Sequence, residues 1–192
     1  MSMRDGDTAA EDRESTTSPV DPALAADLIA MTDEDRRLQG DASAGGPAYE
    51  EWAKDVTAQL AYRRVTTRNA DRLDQIMDEH GWPTIGLVGA EAARRAWLIA
   101  QHADRRLGVQ RRAVRLMANA AAIGEADAAM LAMLRDRVLV NEGREQIYGT
   151  QVAGVVDGAP VLWPCADPAS VNERRAEVGL DPLAAPVLGV RE

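Results

Sequence analysis

The chain contains no phenylalanine, and Trp and Tyr together supply only 4% of its residues. Its core must therefore be built from Ala, Leu, Val, Ile and Met, with four Trp as bulky anchors. An Ala-rich interior favours closely packed helices. Cysteine is nearly absent as well, since Cys165 stands alone. One cysteine forms no internal disulfide, which fits a reducing cytosol. No run of about 18 apolar residues exists, so no membrane-spanning helix is expected. Met1 to Asp12 is charged and lacks the apolar centre of a secretion signal. The expected location is cytoplasmic. The chain also has no phosphate-cradling Gly-rich loop, no GxSxG elbow, no paired CxxC and no HExxH. Cys165 follows Trp163-Pro164 with no histidine nearby in sequence, so it makes a poor candidate nucleophile.

The 192 residues carry a net charge of −9. By count, residues 1–55 hold 5 basic and 14 acidic side chains, and residues 56–192 hold 17 of each. An acidic chain of this kind is a poor nucleic-acid binder. Residues 90–115 are the local exception. They carry Arg94, Arg95, Arg105, Arg106, Arg111, Arg112 and Arg115 against Glu91 and Asp104. These arginines are solvated helix faces or a cationic rim for an anionic ligand.

Residues 1–20 are polar and charged, and they bury too little to offset the entropy of ordering. They read as a disordered acidic tail ahead of a single helical domain over 21–192. Asp21-Pro22 marks a helix start, with Leu24, Leu28 and Met31 at helical spacing. Ser43 to Pro47 reads as a linker. A second helical stretch runs from about Ala48 to His80, with a break expected near Val65-Thr66-Thr67. Leu73, Ile76, Met77 and His80 share one stripe, and Gly81 stops the helix. Further helices are expected over about 90–104, 108–123 and 125–140. Tyr148–Val156 and Pro160–Trp163 read as two short strands, joined by the turn signal Asp157-Gly158. A short helix follows near Val171–Val178. The predicted fold is mainly α: a bundle of five to six helices with a small C-terminal β-hairpin.

Polar residues recur at the seams of this apolar pattern, and both histidines of the chain are among them. Histidine titrates nearest neutral pH. His80 ends an apolar stripe at a helix C-terminus, where it caps carbonyls or meets a ligand. Gln101, His102 and Asp104 share one helix. Gln101 and Asp104 lie on one side, and His102 is rotated about 100° away. An imidazole held by Asp104 or Gln101 is a candidate general acid/base. The same three residues could equally form a buried network that fixes helix packing. Gln110 heads the stripe Ala113, Val114, Met117, and Asp136 extends Ala129, Ala132, Met133. Buried polar groups must be paired, so these residues pair with each other or with a ligand. Asp136-Arg137 alone reads as an ordinary ion pair. Tyr148 is a second candidate acid/base group. Gln101, Gln110, Arg137, Gln151 and Trp82 are candidate substrate contacts. The spacing of His80, His102 and Asp104 fits no standard metal pattern, so neither a metal nor another cofactor is expected.

The ordered set resembles an uncharacterised bacterial domain family. The matching segments are His80-Gly81-Trp82-Pro83, Gln101-His102-Ala103-Asp104, Gln110, Asp136-Arg137 and Gln146 to Gln151. Asn172-Glu173-Arg174-Arg175 and Gly179-Leu180 close the pattern. The resemblance covers about residues 66–182 and implies a mostly helical bacterial domain with no assigned chemistry. One departure lies in the first helix. A Met-x-x-x-Asp-Gln segment is expected there, and the chain reads Met31-Thr32-Asp33-Glu34-Asp35-Arg36-Arg37. The functional expectation is a small enzyme without a cofactor, using His102 for proton transfer on a polar small molecule or peptide. Hydrolysis, isomerisation and cyclisation all qualify, as steps that tailor a biosynthetic product. The alternative is a non-catalytic binding or interaction module. The site is expected between the helices near 90–104, 108–123 and 125–140, closed by the His80 loop and by Tyr148–Gln151.

Overall fold

The computed structural model describes residues 19–39, 47–156, 159–183 and 187–188. The expected acidic tail, up to residue 18, lies outside them, as do most of the Ser43–Pro47 linker and the Asp157-Gly158 turn. Six helices precede a small sheet. They are α1 (Pro22–Gln39), α2 (Pro47–Lys54), α3 (Val56–His80), α4 (Ile85–His102), α5 (Leu107–Ala121) and α6 (Ala128–Asn141). Strands β1 (Val152–Val156) and β2 (Ala159–Leu162) follow, then α7 (Val171–Glu177) and β3 (Val187–Leu188). β1 and β2 pair antiparallel, with Val156 opposite Ala159. β3 adds to the far edge of β2 in parallel. The fold is mainly helical with a small C-terminal hairpin, as the sequence periodicity implies.

Helix α1 packs on α3 and α4, α5 packs on α6, and α4 touches all four of these neighbours. Leu28, Leu73, Ile76, Ala96, Ile99, Ala113, Met117 and Leu134 fill the centre. Each large apolar side chain buried there contributes about 1.5–3 kcal/mol. Ala92, Ala93, Ala96 and Ala100 form the buried face of α4. Their small side chains let neighbouring helices approach closely.

Two boundaries differ from the sequence reading. The expected break at Val65-Thr66-Thr67 is absent, and α3 runs straight through it. The real break is at Asp55, whose carboxylate caps α3 by accepting from the N–H groups of Thr57 and Ala58. Thr66 stays helical because its hydroxyl donates to the carbonyls of Tyr62 and Arg63. Helix α4 carries a kink at Gly89, whose φ of 80° is a left-handed value that glycine adopts at little cost. The straight part of α4 therefore starts where the sequence places it, near Ala90.

Tyr148–Gln151 is not a strand, contrary to expectation, and β1 begins only at Val152. Gly149 has φ 66°, which breaks the extended backbone. A Cβ at Gly149 would lie 2.8 Å from Leu183 Cδ1, so the close approach also requires glycine.

Candidate functional site

Most of the polar residues singled out in the sequence fall into two satisfied networks, and His102 stands in a separate pair. The first network joins the C-terminus of α4 to α5 and α6. Gln110 is fully buried. Its amide nitrogen donates to the carbonyls of Ala100 (3.0 Å) and Gln101 (3.3 Å) and to Asp104 Oδ1 (3.2 Å). Its oxygen accepts from Asn141 at 3.0 Å. The last carbonyls of a helix have no partner within it, and here a side chain from α5 supplies one. Arg137 clamps Asp104 with two bonds, Nε to Oδ1 (2.9 Å) and Nη2 to Oδ2 (2.5 Å). Such bidentate pairs are the strong charge-assisted kind. Asn141 adds a third donor to Asp104. Partial burial pushes the Asp104 carboxyl upward, but the bonds and charge of Arg137, with Asn141 and Gln110, outweigh it. The carboxyl ends below its ordinary value.

The second network holds Gln146 to Gln151 in place. Asp136 is fully buried. Its carboxylate accepts from the backbone N–H groups of Ile147 (2.7 Å), Tyr148 (3.1 Å) and Thr150 (3.0 Å), and from the Thr150 hydroxyl (2.9 Å). Converging amides of this kind form an anion-binding concavity, and the chain fills it with its own carboxylate. Asp136 thus does not pair with Arg137, which binds Asp104 instead. Gln146 is also fully buried. It donates to the carbonyls of Gln151 and Trp163 and accepts from the N–H of Gln151. Gln151 accepts from Arg137 Nη1 at 3.3 Å, which links the two networks. Arg175 donates to the Tyr148 carbonyl at 2.7 Å. Tyr148 is therefore held through its backbone. Burial, and then the charge of Asp136, push the Cys165 thiol up, which makes it a weak nucleophile at neutral pH.

The separate pair is His102 with Asp35. His102 Nδ1 lies 2.5 Å from Asp35 Oδ2. The sequence reading gave this orienting role to Asp104 or Gln101, and the geometry corrects it. Asp104 does not share the helix with His102 as expected: α4 ends at His102, and Asp104 lies in the turn before α5, where Arg137 occupies it. His102 faces α1 and α3. The Asp35 side chain is 2% exposed and that of His102 is 23% exposed. Asp35 Oδ1 is buried without a hydrogen-bond partner among the described residues. The Tyr62 ring stands 6.1 Å from the imidazole, and Trp52 meets Tyr62 edge-on at 5.4 Å. Tyr62 thus stands beside His102, with Trp52 packed behind it. A carboxylate accepts only, so this contact is made by an Nδ1–H donating to Asp35 Oδ2, and Nε2 points away from it.

His80 does not join this pair. The α3–α4 turn reverses the chain, so His80 lies at the opposite end of the bundle. About 27 Å of helix separate it from Tyr62 at 1.5 Å per residue. His80 is half-exposed and lies 3.7 Å from Glu79. Trp82 beside it is buried in the core. Gln101 contributes its carbonyl to Gln110 rather than a side-chain contact. The polar set thus does not converge on one point: His102 stands apart from Gln110, Tyr148 and Gln151. Among the described residues, no group of three or more His, Cys, Asp or Glu side chains could hold a metal ion.

Sequence reasoning missed Asp35, Asn141 and Thr150 as partners. A signal for Asp35 was present. It extends the stripe Leu24, Leu28, Met31 by one more turn, and so puts a carboxylate on a buried face.

A family model matches residues 22–189. The chain belongs to DUF6624, a family of unknown function. The match is wider than the 66–182 core of the sequence resemblance. It takes in α1, and with it Asp35. No curated protein and no solved structure matches the chain.

Proposed function

We propose that this DUF6624 member is a small enzyme in which His102 is the general base and acid. Asp35 orients it, and the substrate is a polar small molecule or peptide. One observation carries the reading: a buried carboxylate fixes Nδ1 of a part-exposed imidazole and leaves Nε2 for a substrate proton. A positioned acid/base group of this kind contributes about 10²–10⁴-fold to a rate. Hydrolysis, isomerisation and cyclisation all need such a proton transfer. The Arg- and Ala-rich composition fits a bacterial source, and a tailoring step in cytoplasmic biosynthesis suits the chemistry. Tyr62, rather than Tyr148, is the phenol beside the imidazole and confines one side of it.

The test uses the two-histidine content of the chain. In a His80→Gln background, His102 is the sole histidine, so the ultraviolet absorbance of the N-carbethoxyimidazole formed by diethyl pyrocarbonate reports it alone. His102 should react, and Asp35→Asn should slow the reaction about tenfold or more while the fold persists. Long-range ¹⁵N spectra should show the Nδ1–H tautomer in the parent and its loss in Asp35→Asn. An inert His102, or a rate indifferent to Asp35, removes the basis for the proposal. Once a substrate is found, His102→Ala should abolish turnover; because it strands the buried Asp35 carboxylate, it should also lower the melting temperature, so turnover is the deciding readout.

A second reading is a non-catalytic binding module. It is favoured by the internal use of Gln110, Asp104, Arg137 and Gln151, which leaves those side chains as packing elements. Under that reading His102→Ala lowers stability and no turnover is lost.

A further inference from the structure

Two features remain outside the His102 site: the Trp82 loop and the arginine-rich stretch of α4. They meet at a cavity of about 220 Å³. It lies between the N-terminal half of α4, the end of α5 and the start of α6, with Arg94 about 12 Å along α4 from His102 at 1.5 Å per residue. Trp82, Ile85, Met117 and Met130 line it, and Arg94 and Asp127 are its two charged lining residues. The rest of the lining is alanine. Arg94 is exposed and makes no hydrogen bond or ion pair with any described residue. Its neighbour Arg95 is bound by Asp33 and Glu91, and Arg112 by Asp74 and Asp78. Asp127 caps α6 by accepting from the Met130 N–H through Oδ1 at 2.8 Å. That contact leaves Oδ2 available.

We infer that this cavity binds a small zwitterion with an apolar side chain, the chemistry of a free aliphatic or aromatic amino acid. The complement of one cation, one anion and an apolar wall is one carboxylate, one ammonium and an apolar body. The ligand carboxylate sits on the Arg94 guanidinium, which suits planar recognition of carboxylates. The ammonium faces Asp127. The side chain lies against Trp82, Met117 and Met130. The volume is below the roughly 300–1,000 Å³ of drug-sized pockets, so only a small ligand fits. The inference does not depend on His102 being catalytic.

Calorimetry on the full chain with three probes tests it. L-Leucine carries both charges, isocaproate lacks the ammonium, and isoamylamine lacks the carboxylate. L-Leucine should bind, and each truncated probe should bind at least about tenfold more weakly, a difference of about 1.4 kcal/mol. Arg94→Gln should weaken L-leucine about tenfold and leave isoamylamine unchanged. Asp127→Asn keeps the helix cap, because Asn caps as well as Asp. It should weaken L-leucine and leave isocaproate unweakened. No heat with L-leucine at millimolar concentration overturns the inference. So does equal binding of all three probes, or binding of L-leucine that is indifferent to both substitutions.

Discussion

Asp136→Asn is the sharpest perturbation of the scaffold, because it changes one buried atom and its charge at nearly constant volume. The wild-type carboxylate serves three backbone N–H groups and one hydroxyl at 2.7–3.1 Å. The asparagine oxygen can keep the N–H groups of Ile147 and Tyr148. Its NH2 then replaces Oδ2. The Thr150 hydroxyl can rotate to accept from it, but the Thr150 N–H faces a second donor. An unsatisfied buried donor costs about 1–3 kcal/mol, and the two surviving bonds each lose about 1 kcal/mol when the acceptor becomes neutral. The expected loss is about 3–5 kcal/mol, a large share of the about 5–15 kcal/mol that holds a domain folded. At about 2–4 °C per kcal/mol for a chain of this size, the melting temperature should fall by about 6–20 °C. Urea unfolding followed by circular dichroism gives the free energy. Amide exchange gives the location, with the amides of Ile147, Tyr148 and Thr150 losing protection first. A loss under about 1 kcal/mol, or unchanged protection of those three amides, would falsify the claim that Asp136 holds this segment.

Other predictions follow from single contacts. The Asp104 carboxyl is held below its ordinary value, so its contribution to stability is complete above about pH 4. That contribution is lost as pH falls through the lower folded-state value. The destabilisation caused by Asp104→Asn at pH 7 should therefore shrink in urea melts at pH 3, and a gap that is constant with pH refutes the assignment. Gly149→Ala places a Cβ 2.8 Å from Leu183 Cδ1 at φ 66°. It should cost about 1–3 kcal/mol, whereas a neutral melt would mean that the loop is not held as described. The Cys165 thiol is pushed up by burial and by Asp136. It should react slowly with a thiol-exchange reagent in the folded chain and rapidly in urea, and fast native reaction would contradict its burial.

The helical fold was legible because the apolar stripes of α1, α3, α4 and α5 repeat at helical spacing. The helix break at Asp55 was not, because the Thr pair at 66–67 is a stronger breaker on propensity alone. The Thr66 hydroxyl bonds back to the helix, and packing of α3 on α1 and α4 holds the segment helical. The inward facing of Gln110 and Asp136 was correctly read from their stripes. Their partners were not, since they come from α6 and from the backbone of the segment after it. Tyr148–Gln151 misled for a similar reason. Its composition is strand-like, but Gly149 and a carboxylate from α6 override local preference. Asp35 is the instructive omission. Sequence proximity offered Asp104 as the partner of His102, but α4 ends at His102 and the turn that follows carries Asp104 to Arg137 and Asn141 on α6. Only a partner on another helix could meet His102, and the buried acidic position on α1 supplies it.

The first network and the His102–Asp35 pair are coupled at one place. Gln110 binds the carbonyls of Ala100 and Gln101, the residues immediately before His102. That contact fixes the last turn of α4, and so the direction in which the imidazole leaves the helix. Asp35 fixes the ring from the other side through Nδ1. An acid/base group must be held within tenths of an ångström to be useful, and here it is held from both its backbone and its ring. The polar residues that looked like substrate contacts in the sequence thus act one step back. They fix the turn that carries His102, and under the proposed function its Nε2 is the atom that meets substrate.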